Sequence, residues 1–209
     1  MRIKICGITK LDQANKIIHL GATALGFICV KRSPRYITPQ QIKTIVAQLT
    51  NPVDTIGVFA DAEIAEITKI ASITEITGIQ LHGTESPQFC QQLKKELPSE
   101  IELLKAFRIK NKESLLDTDT YTTYVDTLLL DAYHPQMLGG TGHTLNWEDL
   151  QQFRPSIPWI LAGGLTPQNV TTALDHLKPD GIDLSSGVER SPGDKDLRKV
   201  TELFQALVQ

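Results

Sequence analysis

Eight apolar runs of strand length recur along the 209 residues, starting near Arg2, Ala24, Thr55, Gly78, Glu102, Thr127, Trp159 and Ile182, with room for a helix between consecutive runs. That recurrence is the strongest constraint on the fold. The sixth run, Leu128-Leu129-Leu130, is apolar at consecutive positions, so the strand has no face for water and must be covered on both sides. Sheets covered on both faces are parallel, with helical crossovers, and active sites gather at the carboxyl ends of their strands. Eight units of roughly 25 residues fit a single α/β domain, a (β/α)8 TIM barrel trimmed below the ~250 residues typical of the fold. A doubly wound open sheet is the alternative, but no G-x-G-x-x-G follows the first strand.

The helix starts carry repeated chemistry. Thr38-Pro39, Ser86-Pro87 and Thr166-Pro167 each pair an N-cap hydroxyl with a proline at the first helical position, and Gln41 completes a capping box with Thr38. Apolar residues at three and four spacing predict helices over Leu11 to Leu20, Ile42 to Leu49, Ile64 to Ile73, Phe89 to Leu97 and Leu197 to Val208. Leu115 to Thr120 carries the weakest helical pattern. No linker, charge run or shift in composition divides the chain, which reads as one domain over residues 1–209.

Composition narrows the function. A net charge of -3 gives no basic surface for nucleic acid. No apolar stretch approaches the ~20 residues that span a bilayer, and Arg2-Ile3-Lys4-Ile5 lacks the apolar core of a signal peptide, so a cytoplasmic location is expected. Cys6, Cys29 and Cys90 are far apart and without CxxC spacing, and read as free thiols. Metal ligation is not expected: His82 is the one histidine at a strand end, His134 and His143 lie in the loop after strand six, and His19 and His176 fall in helices.

The strand ends supply the chemistry. Strand six ends on Asp131 and runs into Gly139-Gly140-Thr141-Gly142. Strand one ends Cys6-Gly7; a lone cysteine is often inert packing, but before a glycine at a strand end a thiolate can serve as base or nucleophile. Lys4 shares the inward face with Cys6 by the two-residue period, and a buried lysine needs a carboxylate, for which Asp183 on strand eight is the candidate. Strand two opens into Lys31-Arg32-Ser33-Pro34-Arg35-Tyr36, where Arg35 reads equally as solvated surface or as a clamp for a carboxylate. Asp61 reads most simply as the N-cap of the third helix, His82 as a polar neighbour or a catalyst, and Arg108 as mouth or surface. The small residues after strands seven and eight, Gly163-Gly164-Leu165 and Ser185-Ser186-Gly187, leave backbone N–H groups directed at one spot, the usual phosphate site of such barrels.

In combination, the chain resembles the phosphoribosylanthranilate isomerases of tryptophan biosynthesis over nearly its whole length. The matching segments are Lys-Ile-Cys-Gly-Ile-Thr at 4 to 9, Ser-Pro-Arg-Tyr-Ile at 33 to 37, Gly-Val-Phe at 57 to 59 and Gln-Leu-His-Gly at 80 to 83. They continue with Leu-Leu-Asp-Ala at 129 to 132, Gly-Gly-Thr-Gly at 139 to 142, Leu-Ala-Gly-Gly-Leu at 161 to 165 and Ser-Ser-Gly-Val-Glu at 185 to 189. The resemblance implies Cys6 as general base, Asp131 as general acid, Arg35 as the contact to the anthranilate carboxylate, and a substrate site including His82, Gly142, Gly164, Leu165, Ser185, Ser186 and Gly187. The chain departs from the family's usual Lys-Thr-Phe-Asp-Trp with His143, Thr144, Leu145, Asn146 and Trp147, and Cys29 and Val30 replace aromatic positions before the basic loop.

The reaction implied is an Amadori rearrangement of N-(5-phosphoribosyl)anthranilate. It needs Asp131 to hold a proton near neutrality and Cys6 to shed one below its free pKa of ~8.5. No cofactor or metal is implied, the partner is a small phosphosugar, and the protein is expected as a monomer or homodimer. Three rivals share the barrel. A metal-dependent pentose phosphate epimerase would want paired histidines and aspartates at strand ends, the histidine-pathway isomerase uses two aspartates where strand one here ends in Cys6, and a non-catalytic phosphosugar-binding barrel could lose Cys6 or Asp131.

Overall fold

The computed structural model describes residues 1–109, 112–132 and 147–208. Gly139 to Gly142, His134, His143 and the segment through Asn146 therefore lie outside the described residues, and with them the expected substrate contact at Gly142. Eight parallel strands close into a barrel in chain order: β1 (Arg2–Cys6), β2 (Ala24–Ile28), β3 (Asp54–Phe59), β4 (Gly78–Leu81), β5 (Glu102–Ile109), β6 (Thr127–Ala132), β7 (Trp159–Ala162) and β8 (Gly181–Leu184). Each apolar run of the sequence is thus a barrel strand, beginning within a residue of its expected start.

Two apolar layers hold the barrel. Ile5, Leu25, Ile79, Leu103, Leu128, Leu130, Leu161 and Ile182 point outward into one large cluster with helix residues such as Ile17, Ile42, Ile67, Leu93, Val170 and Leu203. The alternate positions Ala24, Ile56, Leu104, Ala106, Leu129, Ile160 and Ala162 form a second cluster, which fills the barrel. Fully burying one such Leu or Ile stabilises by about 2 kcal/mol, so this patterning dominates the choice of fold. Strand parity then fixes what faces inward above the filled layer, because residues two apart share a face.

The helices are α1 (Leu11–Leu20), α2 (Pro39–Val46), α3 (Ile64–Thr74), α4 (Pro87–Glu96), α5 (Trp147–Leu150), α6 (Val170–His176) and α7 (Leu197–Val208). Thr38 caps α2 through the Gln41 amide in a complete capping box, and Ser86 caps α4 through the Phe89 amide. The third expected cap is different. Asn169 Oδ1 accepts from the Thr166 amide while its Nδ2 donates to the Gly164 carbonyl, tying 164–169 into a turn, so α6 begins at Val170 and Thr166 does not cap it. The weak pattern at Leu115 to Thr120 is a 3-10 helix, Lys112–Tyr121.

Two further strands were not anticipated: β9 (Glu189–Ser191) and β10 (Asp194–Lys195) pair antiparallel after a 3-10 turn at Ser186–Val188, with Gly193 at φ 80 between them. Asp61 is also not the expected helix cap. It adopts φ 55 and its Oδ1 accepts from the amide (2.6 Å) and hydroxyl (2.8 Å) of Thr84, joining the β3 and β4 loops, while Glu63 occupies the N-cap of α3. The short Asp side chain tolerates the left-handed backbone that lets it reach across. Among the described residues no helix is long and apolar enough to cross a membrane.

Candidate active site

At the carboxyl ends of the strands lies a cavity of about 470 Å³. Cys6, Arg35, His82, Arg108, Asp131 and Asp183 line it, together with Gly163, Gly164 and Leu165 from the β7 loop and Ser185, Ser186 and Gly187 from the β8 loop. Every site residue expected from sequence and lying among the described residues is therefore in one cavity. Strand parity accounts for Cys6, Asp131 and Asp183, which are inward positions at the carboxyl ends of β1, β6 and β8.

Cys6 sits at the top of β1, paired in register with Gly26 of β2, and is only 6% exposed. A Cβ on Gly26 would stand 2.6 Å from the Cys6 sulfur, so the thiol occupies space that only glycine leaves. This enclosure drives the thiol pKa above its ordinary value, with Lys4 and Lys195 opposing burial and Asp183 adding to it. That reverses the expected depression: desolvation disfavours the thiolate more than the nearby cations favour it. Below Cys6, Lys4 is fully buried and its ammonium meets Asp183 Oδ2 at 2.9 Å, the pairing that parity predicts.

Two strands, β7 and β8, separate Cys6 from Asp131 around the closed barrel. Asp131 is in register with Arg108 of β5 and Ala162 of β7, and its side chain is 34% exposed rather than enclosed by apolar groups. His82 Nε2 lies 3.6 Å from Asp131 Oδ2, and its other ring nitrogen, Nδ1, is 2.9 Å from Gln80 Nε2. Gln80 thus orients the imidazole toward the acid.

Arg35 faces the cavity but is not free. Its Nε donates to both Glu189 oxygens at 3.0 and 3.1 Å and its Nη2 to Oε2 at 2.6 Å, leaving Nη1 without a hydrogen bond among the described residues. Lys195, fully buried, donates to Glu189 Oε1 at 2.8 Å and to the backbone carbonyls of Cys6 and, at 3.4 Å, Ser185. Burial alone would raise the Glu189 carboxyl, but the hydrogen bonds from Arg35 and Lys195 hold it below the usual carboxylate range. Burial lowers the Lys195 ammonium against the pull of Glu189. Sequence reasoning missed this arrangement. Glu189 was visible only as the end of a matching segment, and a lysine on a two-residue strand gives no periodic signal.

The β7 and β8 loops meet closely. Gly163 and Gly164 have φ of 90 and 65, a backbone that other residues rarely adopt, and a Cβ on Gly187 would collide with the Leu165 carbonyl oxygen. The β8 loop can approach Leu165 this closely only because residue 187 has no side chain. Ser185 Oγ donates to the Cys6 carbonyl at 3.1 Å, linking this corner to the thiol strand. Among the described residues no group of His, Cys, Asp and Glu is arranged to hold a metal ion.

The fold and mouth define a (β/α)8-barrel enzyme with a thiol and a carboxyl across one cavity and paired glycine and serine loops beside them. A model of the N-(5'-phosphoribosyl)anthranilate isomerase family matches residues 3–206, and the chain belongs to that family. The N-(5'-phosphoribosyl)anthranilate isomerases of Rippkaea orientalis and Nostoc punctiforme are 61% and 58% identical to it, with 100% and 99% of this chain and 97% and 98% of theirs covered. The crystal structure of phosphoribosyl anthranilate isomerase from Thermotoga maritima superposes with a TM-score of 0.88 at 34% identity, covering 99% of this chain and 98% of that one. A phosphoribosyl anthranilate isomerase in complex with reduced 1-(o-carboxyphenylamino)-1-deoxyribulose 5-phosphate superposes at 0.84 with 32% identity, covering 99% and 97%.

Proposed function

We propose that this cavity carries out the isomerisation of N-(5'-phosphoribosyl)anthranilate to 1-(2-carboxyphenylamino)-1-deoxyribulose 5-phosphate in tryptophan biosynthesis, with Cys6 as general base and Asp131 as general acid. The observation that carries this reading is the placement of the thiol and the carboxyl in one cavity with the β7 and β8 loops, in a chain of this family. Asp131 gives its proton to the furanose ring oxygen as the anilino nitrogen's lone pair closes the C=N bond of a Schiff base and the C1–O bond breaks. The Cys6 thiolate then takes the proton from C2, and the electron pair of that C–H bond forms the enolamine, which tautomerises to the ketone.

Backbone N–H groups of Gly164, Leu165, Ser186 and Gly187 are assigned to the phosphate, so that binding remote from the reacting carbons orients them. The Nη1 of Arg35, which makes no hydrogen bond among the described residues, is assigned to the anthranilate carboxylate, with Glu189 fixing the guanidinium plane from behind. The histidine-pathway alternative is not favoured, since β1 presents a thiol where that reaction uses an aspartate.

Loss of anthranilate fluorescence from freshly prepared phosphoribosylanthranilate tests the assignment. Cys6→Ser and Asp131→Asn should each lower kcat by about 10²- to 10⁴-fold, the usual contribution of a positioned acid or base. Near-wild-type rates in both would remove the pair from the mechanism.

A further inference from the structure

The Cys6 thiol is enclosed by Gly26 and only 6% exposed, an environment that favours the neutral form of the group the reaction needs as an anion. Four charged groups face it: Lys4 from its own strand, Asp183 from β8, Lys195 from β10, and Arg35 from the loop after β2. Their commitments differ. Lys195 is held by the Glu189 carboxylate and two backbone carbonyls, and Arg35 is held by Glu189. Lys4, completely buried inside the barrel two residues below Cys6 on the same inward face, is held by the Asp183 carboxylate and interacts directly with Cys6 itself. The other oxygen of that carboxylate, Asp183 Oδ1, is buried without a hydrogen bond among the described residues, and Asp183 lines the cavity.

We propose that Lys4 is a positioning residue for the general base: pinned by Asp183 within the barrel, its ammonium is the fixed counter-charge of the Cys6 thiolate. This rests on the reading of Cys6 as base. As a strut between β1 and β8 the ion pair is a poor device, because burying two charges costs more than well-packed apolar residues of similar volume would. As a source of positive charge under the thiol it has a use that apolar residues cannot replace. Burial by itself would discharge Lys4, but Asp183 and Cys6 raise its pKa above the ordinary lysine value, so it stays an ammonium while Cys6 titrates. Asp183 plays two opposed parts, holding Lys4 in place and repelling the thiolate.

The two halves of the pair therefore predict shifts of opposite sign. Thiolate absorbance in the ultraviolet, titrated from neutral to alkaline pH with Cys6→Ser as the blank, reads Cys6; burial pushes Cys29 up to about 12 and Cys90 to about 11, away from the early part of that range. Lys4→Met should move the Cys6 midpoint up by about one pH unit, a tenfold loss of thiolate at a fixed pH, and Asp183→Asn should move it down by a similar amount. The rising limb of kcat/KM should follow in Lys4→Met. A midpoint that stays put in Asp183→Asn, or moves the same way in both variants, would overturn the proposal; Asp183→Asn decides it alone if Lys4→Met does not fold. A Cys6→Ser enzyme of normal activity would instead overturn the reading of the base and leave the titration result standing.

Discussion

On the β1 side of the mouth, Cys6 is 6% exposed and ringed by fixed charges, whereas on the β6 side the Asp131 side chain is 34% exposed and faces the imidazole of His82 at 3.6 Å. In the proposed mechanism the two groups do opposite work, and they do it in opposite surroundings. For the proposed base, burial first and then the charges of Lys4, Asp183 and Lys195 set the ionisation, and all of these are fixed by the fold. The proposed acid is open to water at the mouth of the cavity. If the proposed roles hold, the contrast divides proton transfer between a preorganised side and an accessible one.

The largest effect tests that division directly. Asp131→Ala and Cys6→Ala should each cost about 10²- to 10⁴-fold in kcat, but small carboxylic acids in solution should restore part of the rate to Asp131→Ala while small thiols restore none to Cys6→Ala. Equal rescue, measured by the same fluorescence assay, would remove the contrast in accessibility.

Next in size is Glu189→Gln, which leaves Lys195 and Arg35 without their carboxylate and should destabilise the fold by about 3 kcal/mol at neutral pH, measured by urea unfolding. The pH dependence has a definite sign. The folded-state pKa of Glu189 is depressed, so its contribution is full above the ordinary value of 4.5 and is lost as pH falls through the depressed one. The stability gap between wild type and Glu189→Gln should therefore narrow in acid. A gap that widens there would mean that Glu189 is not the anion of this cluster.

Gly26→Ala presses a methyl group toward the Cys6 sulfur and should cost about 1 to 3 kcal/mol in stability together with a fall in kcat. An alanine that alters stability without altering turnover would separate the packing of the thiol from its chemistry. The smallest effect is expected for Arg35→Ala, which should raise KM about tenfold, ~1.4 kcal/mol, with a lesser change in kcat, because the anthranilate carboxylate is little altered during the reaction. An unchanged KM would remove Arg35 from that end of the cavity.

Much of this was legible along the chain because it depends on short-range periodicity. The continuous apolar character of Leu128 to Leu130 fixed a strand buried on both faces, and the two-residue period placed Lys4 beside Cys6 and opposite Asp183. Thr38 and Ser86 announced α2 and α4 because their hydroxyls bond amides three residues away. Thr166 carried the same local signal and was overridden by Asn169, which ties its turn to Gly164 and so to the glycine loop. Asp61 was likewise claimed by Thr84 of the neighbouring loop. At Asp61 a local bond competes with one made through the fold, at Thr166 two local arrangements compete, and sequence pattern ranks neither pair.

What the sequence determined by itself is the alternation that builds eight parallel strands and the identity of the groups at their ends. Only the tertiary structure decided how those groups are charged and held. Lys195 reaches the Cys6 carbonyl across nearly the full length of the chain, Glu189 turns Arg35, Gly26 leaves the space the thiol occupies, and burial raises the Cys6 pKa. Hydrophobic patterning is a sum of independent local burials and can be read in order. Ionisation depends on desolvation and on charges that closure of the barrel brings within a few ångströms, and those distances exist only once β8 pairs with β1.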